Sequence, residues 1–415
     1  MGKVNLEYFF ARRIAAEKGG RTNMVMVRVA TISVAIGLAV MIISLSIIFG
    51  FKKEITDNLT GFMSHVQIKH YDDRDPLEAR PISSDQPFID AIQKLPHFKK
   101  LNRYALKSGI IKGEEVIDGI LLKGVDADYD WSFFEKNLAE GTLPVVSDSA
   151  RNKNALISQG LASQMRLGIG DRMELMFIQD PPRTDRFTVS GIYHTDLTDL
   201  DNIMILTDIR NVQRLNNWSS SEISGFEVTA DDFSFIETFS YDIFALLNSM
   251  SKEITEPLVV IDLKENNPLI FDWLDTHDLN AVIIIVIMLL VAVFNMIAAL
   301  LIILLEKTQF IGIMKSLGMK TFTIQKIFIA RSSYIVLKGM LFGNIIGLAL
   351  CFIQEKTGIL KLDAEGYFLS KIPVYIDWFY IILLNAGVFV SIIILLTIPT
   401  TIVSGIRPEK TIRFE

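Results

Sequence analysis

Residues Leu279–Leu305 read LNAVIIIVIMLLVAVFNMIAALLIILL, a run without a charged side chain in which two asparagines are the only polar residues. A helix needs about 20 apolar residues to cross the hydrocarbon core of a bilayer, so this run is long enough to span. Working outward, Val29–Phe51 and Trp378–Ile406 are charge-free runs of comparable length. Gly339–Ile353 is shorter and reaches spanning length if Lys338 sits at its end and extends its ammonium toward water. Half of the 415 residues are apolar and the mean hydropathy is +0.36, too high for an ordinary soluble enzyme of this length. The fold class expected is an α-helical membrane protein with four transmembrane helices plus a large α+β extracytoplasmic domain.

Orientation follows from the basic residues near the span ends, because the cytoplasmic side retains the Lys/Arg excess. Arg12, Arg13, Lys18, Arg21 and Arg28 precede the first run; Lys307, Lys315, Lys320, Lys326 and Arg331 separate the second from the third; Arg407, Lys410 and Arg413 follow the fourth. Lys52–Asp278 holds 38 acidic and 23 basic residues, against 9 and 18 elsewhere, so this insert is assigned to the outside and both termini to the cytoplasm. The resulting division is an amphipathic cytoplasmic helix at 1–22, a first span at 23–51, an outer α+β domain of two subdomains at 52–278, and a second span at 279–305. A cytoplasmic segment at 306–331, a third span at 332–354, an outer loop at 355–377, a fourth span at 378–406 and a tail at 407–415 complete it. Val4–Lys18 places Leu6, Phe9, Phe10 and Ile14 near one face, as in a helix lying on a membrane surface. The first run is too long for a cleaved signal, and Leu6 stands where a myristoylation signal needs Ser or Thr. The lone Cys351 lies in the third run, so the outer domain must be stabilised by its core rather than by disulfides.

Within the insert, strands are expected at His65–His70, Tyr104–Lys112, Val116–Val125, Met173–Ile178, Arg186–Tyr193, Ile203–Leu206, Gly225–Thr229 and Leu258–Leu263. The second and third of these form a hairpin around Gly113-Glu114-Glu115. Helices are expected at Pro87–Leu95, Ser158–Arg166, Asp208–Leu215 and Asp231–Met250.

Catalytic and metal chemistry find little support. No G-x-x-x-x-G-K-[ST] phosphate loop occurs, so any ATP and Mg must be bound by a partner chain, and no cofactor is expected in this one. Asp126, Asp128 and Asp130 resemble the start of a calcium loop, but Trp131 replaces the turn glycine and Asn137 the bidentate glutamate. His65 and His70 fall on opposite faces of a strand, and the acidic run His194, Asp196, Asp199, Asp201 reads as a solvated loop. No catalytic residues and no metal site are therefore assigned, and nothing points to nucleic acid. Inside the spans, Asn295, Asn344 and Asn385 suit hydrogen bonds between helices and are too few to line a hydrophilic pore. Gly339, Gly343 and Gly347, four apart, stack on one face of the third span and invite close approach of another backbone.

Glu306-Lys307-Thr308-Gln309-Phe310-Ile311-Gly312-Ile313-Met314-Lys315-Ser316-Leu317-Gly318, followed by a helix-like Phe322–Arg331, resembles the cytoplasmic segment of FtsX/MacB-like transporter permeases. Gly50-Phe51-Lys52-Lys53-Glu54, the segments Gly358–Leu362 and Pro373–Trp378, and Gly405–Arg413 look like the lipoprotein-releasing LolC/LolE branch. Lys338 departs from that pattern, in which Gln tends to precede the glycine opening the third span.

The resemblance implies a MacB-like periplasmic domain, an ABC ATPase as a separate subunit, and a second permease copy or a homologous permease. It further implies extraction of acylated lipoproteins from the outer leaflet of a bacterial inner membrane. Glu306, Lys307, Thr308, Ile311, Ile313, Met314, Lys315, Leu317 and Gly318 become candidates for coupling to the ATPase, with Ile311, Ile313, Met314 and Leu317 inserting apolar side chains. The first span offers Ile43, Ile47, Ile48 and Phe51, and the second Val282, Ile285 and Val286, as a charge-free groove for lipid or lipoprotein. The hairpin Met173–Thr188, with Gln179, Asp180, Pro181, Pro182 and Arg183 at its tip, aligns with the hook that reaches a periplasmic carrier in LolC-type permeases, and it is shorter here. An FtsX-like regulator of a cell-wall hydrolase, a MacB-like efflux permease and a membrane-bound scaffold are the alternative readings.

Overall fold

A long apolar run folds as a helix because in lipid each backbone N–H and C=O must find its partner within the segment. In the computed structural model, which describes residues 21–72, 79–113, 116–147, 150–195, 197–362, 369 and 371–401, four helices are long and apolar enough to cross a membrane. The surface helix expected at Val4–Lys18, the motif Gly405–Arg413, the turn residues Glu114 and Glu115, and Asp196 lie outside the described residues. Helix α1 (Arg21–Met63) does not stop at Phe51, where the first span was expected to end. Beyond the Lys52-Lys53-Glu54 charges, Ile55, Leu59 and Phe62 recur at helical spacing and all three are buried, so the amphipathic pattern sustains the helix. The chain divides into two compact units, Met1–Lys52 with Trp273–Leu360 and Ile372–Glu415, and Lys53–Asp272 with Lys361–Lys371.

The second unit continues from α1 with β1 (Val66–His70), β2 (Ile82–Ser83), α2 (Ile89–Ile92), β3 (Phe98–Lys112) and β4 (Ile117–Val125). Next come α3 (Ser132–Lys136), β5 (Leu138–Gly141), β6 (Asn154–Ser158), α4 (Gln159–Met165), β7 (Arg172–Phe177) and β8 (Arg183–Tyr193). It closes with α5 (Thr198–Asp201), β9 (Met204–Asp208), α6 (Ile209–Asn216), β10 (Glu222–Ile223), β11 (Gly225–Ala230), α7 (Ile236–Ser249), β12 (Leu258–Asp262) and α8 (Leu263–Asn266). Ten strands form one sheet in the order β12-β1-β11-β3-β4-β9-β6-β8-β5, with β7 pairing β3 and β8, so the expected division into two subdomains does not interrupt the hydrogen-bonded network. Pairing is antiparallel except at β4–β9 and β6–β8, which gives a mixed α/β domain.

Local signals place several of these elements. The Ser158 hydroxyl accepts from Leu161 N at 3.0 Å to cap α4, and Arg166 ends it in the left-handed region. Asp208 likewise caps α6 through Arg210 N. Strand β6 was not expected: from Ala155 to Ser158 it is buried on both faces, so it lacks the alternation that marks a half-exposed strand. The helix expected at Pro87–Leu95 shrinks to α2, and the one expected at Asp231–Met250 opens with a 3₁₀ turn, Phe233–Phe235, before α7.

The first unit adds α9 (Pro268–Glu306), α10 (Thr308–Ser316), α11 (Thr321–Thr357) and α12 (Trp378–Thr400) to the apolar part of α1. The helix that carries the third apolar run starts well before 332: α11 runs unbroken from Thr321, joining the helix-like Phe322–Arg331 to the run, with no proline and no glycine before Gly339 to interrupt it. The three-glycine face packs on α1. A Cβ at Gly339 would stand 2.9 Å from Thr31 O, at Gly343 2.7 Å from Ala35 O, and at Gly347 3.2 Å from Ala39 Cα. Asn344 and Asn385 exchange amide hydrogen bonds of 2.7 and 3.0 Å between α11 and α12, as their positions foretold.

Candidate functional site

The residues singled out for coupling lie on and around α10. Glu306 ends α9, Lys307 precedes α10, and the Thr308 hydroxyl donates to Leu305 O across the corner. Gly318 holds φ +84°, and with Met319 N donating to Met314 O at 3.0 Å it turns the chain into α11. The faces of α10 are distinct. Ile311 is fully buried in the bundle core and Met314 packs partly against it, whereas Ile313 is 47% and Leu317 75% exposed. Ile311, expected to insert into a partner, is instead committed to the bundle core; Ile313 and Leu317 are the exposed apolar residues of this segment, and Met314 lies between the two environments. Helical spacing explains the split: 313 and 317 share a face, and 311 stands two residues, about 200°, away from 313.

Of the groove candidates, Ile43 and Ile285 pack against the bundle core, and Ile47 and Ile48 are half-buried. Val282 and Val286 are exposed. Phe51 is engaged within the chain, edge-on to Trp273 at 5.7 Å and stacked on His277 at 6.3 Å between ring centres. One residue further, Lys52 Nζ lies 2.9 Å from Asp278 Oδ2.

The hairpin candidate is formed by β7 and β8 in register Arg172↔Thr188 to Phe177↔Arg183. Its tip is Ile178–Pro182, where Asp180, Pro181 and Pro182 are exposed and Gln179 is half-buried. Arg183 is not at the tip; it opens β8 and its Nη1 donates to Arg214 O at 2.9 Å. Two residues beyond Arg183 on β8, burial alone would raise the Asp185 carboxyl. Hydrogen bonds from Lys153 and Arg186 N and the charges of Lys153 and Arg214 outweigh it and hold the group below the usual carboxylate range.

The arrangement comprises a corner helix with one buried and one exposed apolar face, a helix pair whose apolar stretches carry the groove candidates, and a short exposed hairpin. A family profile described as a MacB-like periplasmic core domain matches residues 29–241, and one described as the FtsX-like permease C-terminal region matches 282–408. The chain belongs to the FtsX/MacB-like ABC transporter permeases. The permease is 20% identical, over 99% of its length, to the lipoprotein-releasing system transmembrane protein LolC of Xylella fastidiosa (strain 9a5c), 98% of which is covered. It is 21% identical, over 99% of its length, to LolE of Haemophilus influenzae, 99% of which is covered. Among solved structures, the periplasmic region of MacB from Actinobacillus actinomycetemcomitans aligns with 51% of the permease and 95% of that chain, at 14% identity and a TM-score of 0.33.

Of the charged pairs that the sequence reading did not anticipate, two stand out in the permease. Lys52–Asp278 is one, and its signal was a charge bordering each of the first two apolar runs, directly after Phe51 and directly before Leu279. The other is Lys123–Glu227, whose side chains are 3% and 2% exposed. Lys123 Nζ donates to both Glu227 oxygens at 2.7 and 2.9 Å and to Phe62 O, an orphan carbonyl in the last turn of α1, while Tyr104 and Tyr129 flank the ammonium. Opposite charges interrupting two apolar strands, Ile120-Leu121-Leu122-Lys123 and Gly225-Phe226-Glu227-Val228, were the legible hint.

Proposed function

We propose that this permease works with a separate ATPase to extract lipid-anchored proteins from the outer leaflet of a bacterial inner membrane. The full-length similarity to LolC and LolE carries the reading, because both are transmembrane proteins of a lipoprotein-releasing system. Energetics make the task one for an ATPase. Each buried methylene of an anchor adds about 0.8 kcal/mol, so a protein held by two or three acyl chains does not leave unaided. Receiving such chains takes an apolar surface rather than a hydrated pore, and Ile43, Ile47, Ile48, Val282, Ile285 and Val286 offer one without a charge. In this reading the four helices cross the membrane with both termini inside, and two permease chains, identical or homologous, meet through their first and second spans. The ATPase docks on the exposed face of α10, Ile313 and Leu317, with Lys307 and Lys315 steering association. The hairpin tip at Gln179–Pro182 is the reach toward a periplasmic carrier.

Photocrosslinkers at Ile47 and Val282 are expected to capture acylated lipoprotein only while the ATPase is active. Failure at both sites, together with normal lipoprotein localisation after depletion of the permease, overturns extraction. Charged substitutions at Ile313 and Leu317 are expected to release the ATPase; variants that keep it bound and fully active reduce α10 to a connector. A cysteine at Gln309 is expected to resist an impermeant reagent in intact cells, and its labelling reverses the orientation.

A further inference from the structure

Helix α11 has two faces. One carries Gly339, Gly343 and Gly347, where a Cβ would fall 2.7–3.2 Å from main-chain atoms of Thr31, Ala35 and Ala39 on α1. The side of α1 turned to α9 is looser, and a Cβ at Gly37 would meet Met288 O at an ordinary 3.7 Å. Close contacts that advance four residues at a time on both helices hold α1 and α11 parallel and in register. Tyr334, five residues before Gly339, accordingly stands at about the height of Arg28, the last charged residue before the apolar run of α1.

The opposite face of α11 is exposed. Tyr334, Leu337, Leu341 and Ile345 lie along it, with Lys338 among them. Helical side chains lean toward the N-terminus of their helix, and Lys338 leans far enough to bring Nζ 4.6 Å from the centre of the Tyr334 ring. Its ammonium is thus carried out of the apolar run and back to the height of Arg28, the level at which, in a membrane, hydrocarbon gives way to headgroups. The ring face attracts the charge but offers its N–H donors no acceptor oxygen, and α11 has no acidic residue between Thr321 and Gln354. Lys326 repeats the arrangement with Nζ 4.9 Å from the Phe322 ring centre, but it lies about 18 Å nearer the start of α11, well outside the apolar run.

A single cation at one end of an exposed apolar strip matches a molecule with an anionic head and a hydrocarbon tail. We infer that Lys338 and Tyr334 form a site for an anionic phospholipid, its phosphate on the Lys338 ammonium and the Tyr334 hydroxyl and one acyl chain along Leu337, Leu341 and Ile345. A zwitterionic lipid suits the site less, because its own ammonium already answers its phosphate. A second copy of the chain suits it least. Across a two-fold axis Lys338 would face its own counterpart in surroundings of low dielectric, with no carboxylate between them. The site rests on α11 crossing a membrane and not on the extraction of lipoproteins.

The test uses the full chain, with Cys351→Ala, in phosphatidylcholine nanodiscs. These carry a small fraction of a probe lipid, either phosphatidylglycerol or phosphatidylethanolamine, with a diazirine on the acyl chain close to the glycerol. The phosphatidylglycerol probe is expected to label the segment Tyr334–Ile345 about five-fold more than the phosphatidylethanolamine probe. Lys338→Gln should erase that preference at an unchanged thermal unfolding temperature, while Lys338→Arg and Lys326→Gln should keep it. Equal labelling by the two probes, or a loss in Lys326→Gln as large as in Lys338→Gln, reduces the effect to general attraction and overturns the site. A cysteine at Leu341 that crosslinks two chains in high yield gives the face to a second copy and overturns the site as well. A chain that does not enter nanodiscs overturns the membrane reading and the site with it, whereas missing probe preference in a loaded nanodisc overturns the site alone.

Discussion

Lys123–Glu227 and Lys52–Asp278 are the same chemistry in two environments. The first pair is closed off among strands of the second unit, with each ammonium proton directed at an acceptor and two tyrosine rings alongside. The second joins two helices with both side chains nearly half exposed. A buried charge that loses its partner has no water to turn to, so the first pair is a fixture whose parts cannot separate while the sheet stays folded. A half-exposed charge exchanges its partner for water at small cost, so the second can open and close within the native state. Burial rather than distance separates them, since the shortest N–O distances are 2.7 and 2.9 Å.

The comparison is tested most severely at Lys123. Lys123→Met is expected to cost about 3–5 kcal/mol, because Glu227 stays buried without a counter-charge. Hydrogen exchange should show β3, β4 and β11 losing protection together. Adding Glu227→Leu should recover most of the loss, and a single variant as mild as Lys52→Met would dissolve the distinction.

Burial of a titrating group near the fixture supplies a second test. Burial, reinforced by the charge of Lys99, lowers the His65 pKa from 6.5 to about 4; Nδ1 accepts from Ala230 N at 2.9 Å, and the ring is neutral. Between those values the unfolded chain binds a proton that the folded chain refuses. The contribution of His65 is thus complete above pH 6.5 and declines as pH falls, by roughly 3 kcal/mol once pH passes 4. Denaturation of the second unit followed from pH 7 to 4 should lose this slope in His65→Gln; an unchanged slope would place its origin elsewhere.

Within the bundle, Gly343→Val is expected to cost about 1–3 kcal/mol by forcing α11 away from Ala35, while Gly37→Val should cost less than about 1 kcal/mol. Thermal unfolding in detergent reads both, and equal losses would mean that the two sides of α1 are packed alike. The smallest effect belongs to Lys52→Ala, about 0–1 kcal/mol, and the difference from the parent should vanish near 1 M salt. The Lys123→Met loss should persist there.

Much of the bundle was legible because lipid leaves so few solutions. Charge-free runs marked its helices, the glycine spacing marked the face that α11 turns to α1, and Asn344 and Asn385 found each other. Cap residues did the same for α4 and α6. What was hidden had mixed signals. Charges at Lys52, Lys53 and Glu54 masked the apolar repeat at Ile55, Leu59 and Phe62 that carries α1 to Met63. The doubly buried β6 gave no alternation to read. In α10 the composition indicated an apolar, basic helix, but only the packing distinguishes Ile311 from Ile313 and Leu317.

That distinction has a mechanical side. With Ile311 wedged in the core and Gly318 turning the chain immediately after the helix, α10 is denied rotation about its own axis, as a key is once its bit has engaged the ward. A push delivered at Leu317 is not absorbed as a roll of the short helix; it has to displace the bundle residues packed around Ile311, and the corner between α9 and α11 behaves as a thrust bearing.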